Sequence, residues 1–374
     1  MAATFFNEMV SHLFFNFMKV GSWKISHQQE TMRSVDEVMF WPVQLARIFG
    51  YWPFVRLDGK YAFKWSGAGF WLTVSNFLML IACLGMVGAH GESMFVPVGV
   101  ELSHSSTESA SLWSIVLIES IAVLLLLALT LAIRQELLST WEIVSHASSD
   151  VRGEDNQNSA LCVIRNPVSS ARREINRALA VLLIFSLVRA TVRLADVAYA
   201  TFYRLEIWKA CLCAAALFAW DLMYSMTTLW VLIVTGFICC LTMSCQMLRS
   251  QLRTSNEGIY AVGRPSQNHI TFSHLENHVR LHKELCRTAE VMNEKLKVPL
   301  IAIFMLKIVI LTLAIFFAVT GMDLSNGLLE YNAIAQFLTI IIDLLSFHYL
   351  CSSGTAFTLE VRRQLVLSLF ITAY

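Results

Sequence analysis

The sequence predicts an all-α, multi-spanning transmembrane helix bundle with a cytosolic N-terminus. Of its 374 residues, 56% are hydrophobic and only 15% charged, and the charges gather between long apolar runs. An average soluble domain carries about 25% charged residues, and a water-soluble fold has no place to hide the apolar excess seen here.

A membrane span needs about 20 apolar residues to cross roughly 30 Å of hydrocarbon. Six runs meet that length: 70–89, 112–133, 179–200, 210–241, 300–320 and 333–350. The fourth is over-long, so we expect it to tilt or to continue as helix past Met247. The six prolines lie outside the runs or at their edges.

Lysine and arginine placement sets the orientation. The segments before residue 70, 134–178, 242–299 and the tail after Leu350 hold 23 of these residues, and the intervening loops 90–111, 201–209 and 321–332 hold two. The chain then divides into a cytosolic segment 1–69, spans one to four over 70–241 with the cytosolic loop 134–178, a cytosolic helical extension 242–299, spans five and six over 300–351, and a tail 352–374. With 28 basic against 27 acidic residues, net charge points to no nucleic-acid partner.

Within the cytosolic parts, 273–298 reads as one charged helix with Leu285, Ala289, Met292 and Leu296 at a/d-like spacing. That stripe suits a contact between subunits, or packing of the helix on its own bundle. Segment 145–170, with Gly153, Asn156, Asn158 and Pro167, reads as a loop. Residues 5–20, rich in Phe and Met, read as an interfacial helix or a segment packed under the bundle. The cysteines fall in apolar runs or cytosolic loops, where thiols stay reduced.

Nothing supports an enzyme: no nucleophile motif, phosphate loop or dinucleotide-binding glycine run stands in a structured context. His274, His278 and His282 have metal-compatible spacing but lack an H-E-x-x-H partner pattern, and they read as a solvated stripe. No cofactor or metal is expected.

Charged side chains inside a span cost about 2.5–3.5 kcal/mol each, so each is a functional candidate. In the third span Arg189, Arg193 and Asp196 share one face, with Asp196 about 6 Å from the outer end. Trp220, Asp221 and Tyr224 in the fourth span, Glu119 in the second and Gln336 in the sixth fall at similar depth. We expect Glu119, Arg193, Asp196, Trp220, Asp221, Tyr224 and Gln336 to line one ligand-binding cavity. Carboxylates and an amide there would bond hydroxyls and indole faces would stack on sugar C–H surfaces. The competing reading is that Arg193 with Asp196 or Asp221 is a pair neutralising its own burial. Lys307 and His348 are expected to snorkel or to contact a gate, Asp343 has no evident partner, and Cys239 and Cys240 read as core residues.

Two motifs carry a resemblance. P-V-Q-L-A-R-I-F-G-Y-W-P-F over 42–54 resembles the segment before the first span of insect gustatory receptors. His282 and Leu285, followed by Asn293 ahead of the fifth span, are similar to that family's H-x-x-L…L-N pattern. The resemblance covers roughly 40–350 and implies a taste-receptor subunit in the plasma membrane. It implies a homo- or hetero-tetrameric, non-selective cation channel among membrane lipids, opened by a small-molecule tastant. A sugar or polyol is expected ahead of a bitter compound. The family carries a T-Y-x5-Q-F signature in a seventh, pore-lining helix, whereas this chain has only Thr372-Ala373-Tyr374, so that helix is expected to be missing or truncated. An odorant receptor of the same superfamily is the nearest alternative. A G-protein-coupled receptor is disfavoured by the inward N-terminus, and a transporter by the absence of inverted halves.

Overall fold

The computed structural model describes residues 34–57, 60–95, 106–158, 167–202, 207–261, 272–320, 322–323, 328–329 and 331–373. The interfacial segment expected over 5–20 lies outside them. The order is α1 (Ser34–Ile48), a hairpin of β1 (Phe54–Leu57) and β2 (Lys60–Phe63), α2 (Ala68–Phe95), α3 (Ser106–Ala132), α4 (Arg134–Asn158), α5 (Pro167–Phe202), α6 (Ile207–Ser225), α7 (Thr228–Ala261), α8 (Phe272–Thr320), a short ladder of β3 (Met322–Asp323) with β4 (Leu328–Leu329), and α9 (Tyr331–Ala373).

Each predicted apolar run lies on a helix. Four stretches are long and apolar enough to cross a membrane: Val168–Val192, Phe218–Gln251, Glu276–Phe316 and Ile334–Val366. Leu117–Ala132 and Arg134–Ser148, bent by 66° at their junction, bring the number to five when counted together as one broken span. In α2 the apolar stretch Ala68–Ala82 is shorter than a span among the described residues. The chain is therefore a membrane-embedded helical bundle.

The stretch through α7 is 94% enclosed by the chain, against 28% for that of α8, so α7 is the central helix and the others turn apolar faces outward. Lipid tails are as apolar as leucine, so helices in a bilayer associate through close packing and interhelical hydrogen bonds. Such residues line α7. Trp230 Nε1 donates to Thr130 Oγ1 of α3 at 2.9 Å, and Ser244 Oγ to Ser148 Oγ of α4 at 3.0 Å. Cys239 Sγ lies 3.6 Å from Ser353 Oγ of α9. Cys239 and Cys240 are buried as core residues. As expected of the over-long fourth run, helix continues past Met247, to Ala261. The run is interrupted at Met226–Thr227, where Thr227, Leu229 and Trp230 N–H groups donate to carbonyls three residues back at 2.9, 3.0 and 3.2 Å. This is one 3₁₀-like turn, a tighter winding often found at hinges.

The motif over 42–54 has a structural basis. Gly50 adopts φ +77°, with Tyr51 N–H bonded to Ala46 O at 2.7 Å and Gly50 N–H to Arg47 O at 3.1 Å. That pattern is a Schellman helix stop, which favours glycine. The chain then enters the hairpin, whose Trp52 and Tyr61 pack edge-on against Trp141 of α4 at 5.3 and 4.9 Å between ring centres. Tyr51 Oη donates to Met223 O at 3.0 Å, and burial pushes its phenol well up, so it stays a neutral donor.

One expectation needs correction, and two helices run further than their apolar runs. Residues 145–158 continue helix α4, because the first half of that helix is fixed by buried Leu137, Trp141 and Val144. Its later Gly and Asn weaken a helix but do not end one that is already propagating. Segment 273–298 is not separate from the fifth span: α8 runs unbroken through buried Pro299. Residues 352–373 likewise continue α9 without a break. They are tied to α7 by Arg249 with Glu360 at 3.1 Å and by Gln364 Nε2 donating to Cys245 O.

Gly236 gives a test of the packing around α7. A Cβ there would clash with Sδ of fully buried Met39, so Gly236→Ala should lower stability by about 1–3 kcal/mol and Met39→Ala should restore part of the loss. Gly354, in helix with nothing within 4 Å, should gain about 0.5–1 kcal/mol as alanine. Thermal unfolding of the three variants in detergent would check both.

Candidate functional site

Arg189 is the centre of the site. It lies within the apolar stretch of α5 and is fully buried. Its Nη2 lies 3.0 Å from Glu119 Oε1 of α3, donating to it, and 3.0 Å from Asp221 Oδ1 of α6. The Asp221 contact is an ion pair. Nη1 donates to Ser225 Oγ at 3.1 Å, and the guanidinium lies over the Tyr224 ring, 4.5 Å from its centre. Two carboxylates, a hydroxyl and an aromatic face thus replace the water that a guanidinium loses on burial.

A second pair abuts the first. Lys307 Nζ of α8 donates to Asp343 Oδ1 of α9 at 2.7 Å, and the same ammonium lies 5.0 Å from the centre of the Tyr224 ring. One tyrosine therefore contacts both cations. The pairing corrects the expectation that Lys307 snorkels and supplies the partner that Asp343 lacked. Both ends are buried, and a lysine at that depth is neutralised more cheaply by a carboxylate on the neighbouring helix than by stretching to water. His348 is exposed.

Of the expected ligand-binding residues, Glu119, Asp221 and Tyr224 meet at Arg189. Trp220 adjoins them on α6 and is anchored by its Nε1 donating to Ser120 Oγ of α3 at 2.9 Å. Gln336 is buried on α9, two turns before Asp343. Among the described residues no hydrogen-bond partner meets Gln336 Nε2 or Asp343 Oδ2. Arg193 and Asp196 lie on α5 beyond Arg189, and their side chains are outside the description. The three-residue face on α5 was legible in the spacing, and the arginine of that face that the structure joins to Glu119 and Asp221 is Arg189. The cluster is closed: Glu119, Arg189, Trp220, Asp221, Tyr224 and Gln336 are each at most 2% exposed.

The α8 stripe turns inward. Leu285 and Leu296 are 1% exposed, and Ala289 and Met292 pack on the same core, where α8 meets α4, α7 and α9. Lys295 donates to Ser139 of α4, and His282 Nδ1 lies 2.7 Å from Gln364 Oε1 of α9. His278 is buried and His282 half-buried, so the histidines with described side chains do not form a solvated stripe; that of His274 lies outside the description. Asn293 is exposed.

No protein-family model and no curated protein matches this chain. Helices α3, α5, α6, α8 and α9 converge on three ion pairs and a shared aromatic ring, which stabilise the bundle and present polar atoms inside the apolar layer.

Removing one member of a buried pair leaves an uncompensated charge, at a cost of about 3–5 kcal/mol, whereas removing both is near neutral. Lys307→Met should therefore lower surface expression and melting temperature sharply, and Lys307→Met with Asp343→Leu should recover most of both. Flow cytometry with thermal size-exclusion profiles would read the difference.

Proposed function

We propose that this chain is a taste-receptor-type subunit of a ligand-gated, non-selective cation channel. It stands in the plasma membrane with its N-terminus in the cytosol, assembled as a homo- or hetero-tetramer. Its ligand is a small neutral tastant, a sugar or polyol ahead of a bitter compound. The basic residues on one side of the spans, the motifs over 42–54 and 282–293, and the polar cluster support this reading.

The observation that carries the reading is the pair of unmet polar atoms on α9. Gln336 Nε2 is a donor and Asp343 Oδ2 an acceptor, each buried and without a hydrogen-bond partner among the described residues. Two helical turns separate them, about 10 Å along the axis. A hydroxyl-rich molecule of sugar size bridges that distance with complementary groups, and Trp220 supplies an aromatic face on which sugar C–H surfaces stack. Entry of such a ligand loosens the closed cluster, and the ion pairs then choose between two packings of α5, α6 and α9. A channel coupled to its ligand in this way opens by the difference in ligand affinity between those packings.

Gln336 carries no charge, so its substitution leaves the ion pairs intact. Gln336→Leu should keep surface expression and raise the half-maximal sugar concentration about tenfold, the loss of one well-formed hydrogen bond, in calcium imaging of cells expressing the full chain with its co-subunits. An unchanged dose response at equal expression would contradict this site. Silence of the parent chain to sugars, polyols and bitter compounds alike would contradict the function.

A further inference from the structure

A second built feature lies away from the ion pairs, where the hairpin meets the start of α2. Phe63, Trp65, Phe70 and Trp71 form an edge-to-face chain with ring centres 5.0–5.6 Å apart along Phe63–Trp65–Phe70–Trp71. Trp65 and Trp71 are 63% and 59% exposed. The chain is held rigidly: Thr73 Oγ1 donates to Gly50 O at 2.8 Å, Asn76 Nδ2 to Ile48 O at 3.0 Å, and a Cβ on Gly69 would lie 2.8 Å from the Pro53 carbonyl carbon. Exposed Leu72, Phe77, Leu78, Met79 and Ile81 continue the same surface along α2. Indoles at the end of an apolar helix face are the mark of a bilayer interface.

One cation lies on this shelf, and a second neighbours it in sequence. Arg134, at the bend between α3 and α4, lies 5.1 Å from the centre of the Phe63 ring and 5.5 Å from that of Trp65, and its Nη1 donates to Leu131 O at 2.8 Å. Lys64 is exposed between the two rings in sequence. Neither has a carboxylate partner among the described residues, although Arg189, Lys307, Arg56 and Arg249 all do. Glu136 lies two residues beyond Arg134, about 200° around the helix, and so faces away. A guanidinium laid on aromatic rings, with an exposed lysine flanked in sequence by two of those rings, suits a phosphate.

We infer that the Phe63–Trp71 shelf with Arg134 and Lys64 binds the phosphate of an anionic phospholipid in the cytosolic leaflet, with Trp65 and Trp71 seated in the glycerol layer. The leaflet rests on the proposed orientation; the lipid contact rests on the shelf itself. Charge complementarity and continuity with the outward face of α2 select lipid over a protein partner. Bound lipid would clamp the hairpin that packs on α2 and α4, so leaflet composition would set the stability of the bundle.

The test uses the full chain reconstituted in phosphatidylcholine vesicles with and without phosphatidylserine, carrying a fluorescent residue at position 65 or at position 78. Spin-labelled lipid near the headgroup should quench position 65, and lipid labelled deep in the chain should quench position 78. Selectivity for spin-labelled phosphatidylserine should fall about fivefold for each basic residue removed, in Lys64→Gln and in Arg134→Gln, and inorganic phosphate should not compete. Lys64 is exposed, so its variant folds even if that of Arg134 does not. Unchanged selectivity in Lys64→Gln and Arg134→Gln overturns the inference. So does quenching of position 65 by aqueous iodide, or its shielding from both quenchers by a second copy of the chain. Lipid quenching at position 78 in those cases would leave the membrane-embedded bundle standing, and its loss would remove that too.

Discussion

A guanidinium buried among membrane spans has to be answered by other helices, and the answer given to Arg189 fixes much of this bundle. Glu119 on α3 and Asp221 on α6 each lie 3.0 Å from the same nitrogen, so rotating or sliding any of α3, α5 and α6 exposes a charge to hydrocarbon. The cost of an unanswered charge there, about 2.5–3.5 kcal/mol at the centre of a span, exceeds what a few apolar contacts return, because lipid tails offer apolar side chains a comparable environment. Lys307 and Asp343 impose the same constraint on α8 and α9. Tyr224, in contact with both cations, makes the two constraints one.

The central helix α7 is held differently, by small and hydroxyl-bearing residues that let neighbours approach and bond to it. Its upstream end is the 3₁₀-like turn at Met226–Thr227, directly after Ser225, which accepts a hydrogen bond from Arg189. The place where the fourth run can bend is thus joined to the charged cluster. In the proposed channel, a ligand that rearranges the cluster acts first on this joint. The movement then passes to the far half of α7, whose Cys245 and Arg249 are bonded to α9 through Gln364 and Glu360.

Helices are legible in the sequence because hydropathy reads burial in lipid directly, and of the seven candidate residues Glu119, Asp221 and Tyr224, read at one depth, meet at a single arginine. Their cation was harder to read. Arg189 and Arg193 are one turn apart on one face, and only the relative height of α3 and α6 decides between them. Lys307 and Asp343 are 36 residues apart on different helices, so no local spacing signals their pairing, and a long side chain beyond mid-span resembles one that snorkels. The inward turn of Leu285 and Leu296 was ambiguous because an a/d stripe looks the same whether its partner is another subunit or another helix of the same chain. Segment 145–158 was misread because Gly and Asn report local preference, while the packing of Trp141 decides whether the helix propagates.

The central claim is that Arg189 is held by its carboxylates and that this holding sets the bundle. Unfolding temperature and surface expression should be measured for Arg189→Met alone and for Arg189→Met combined with Glu119→Gln and Asp221→Asn. The single change, which buries two unanswered carboxylates, should largely abolish both, and the triple change should regain most of what was lost. A single variant as stable as the parent, or a triple variant no better than the single, would contradict that claim.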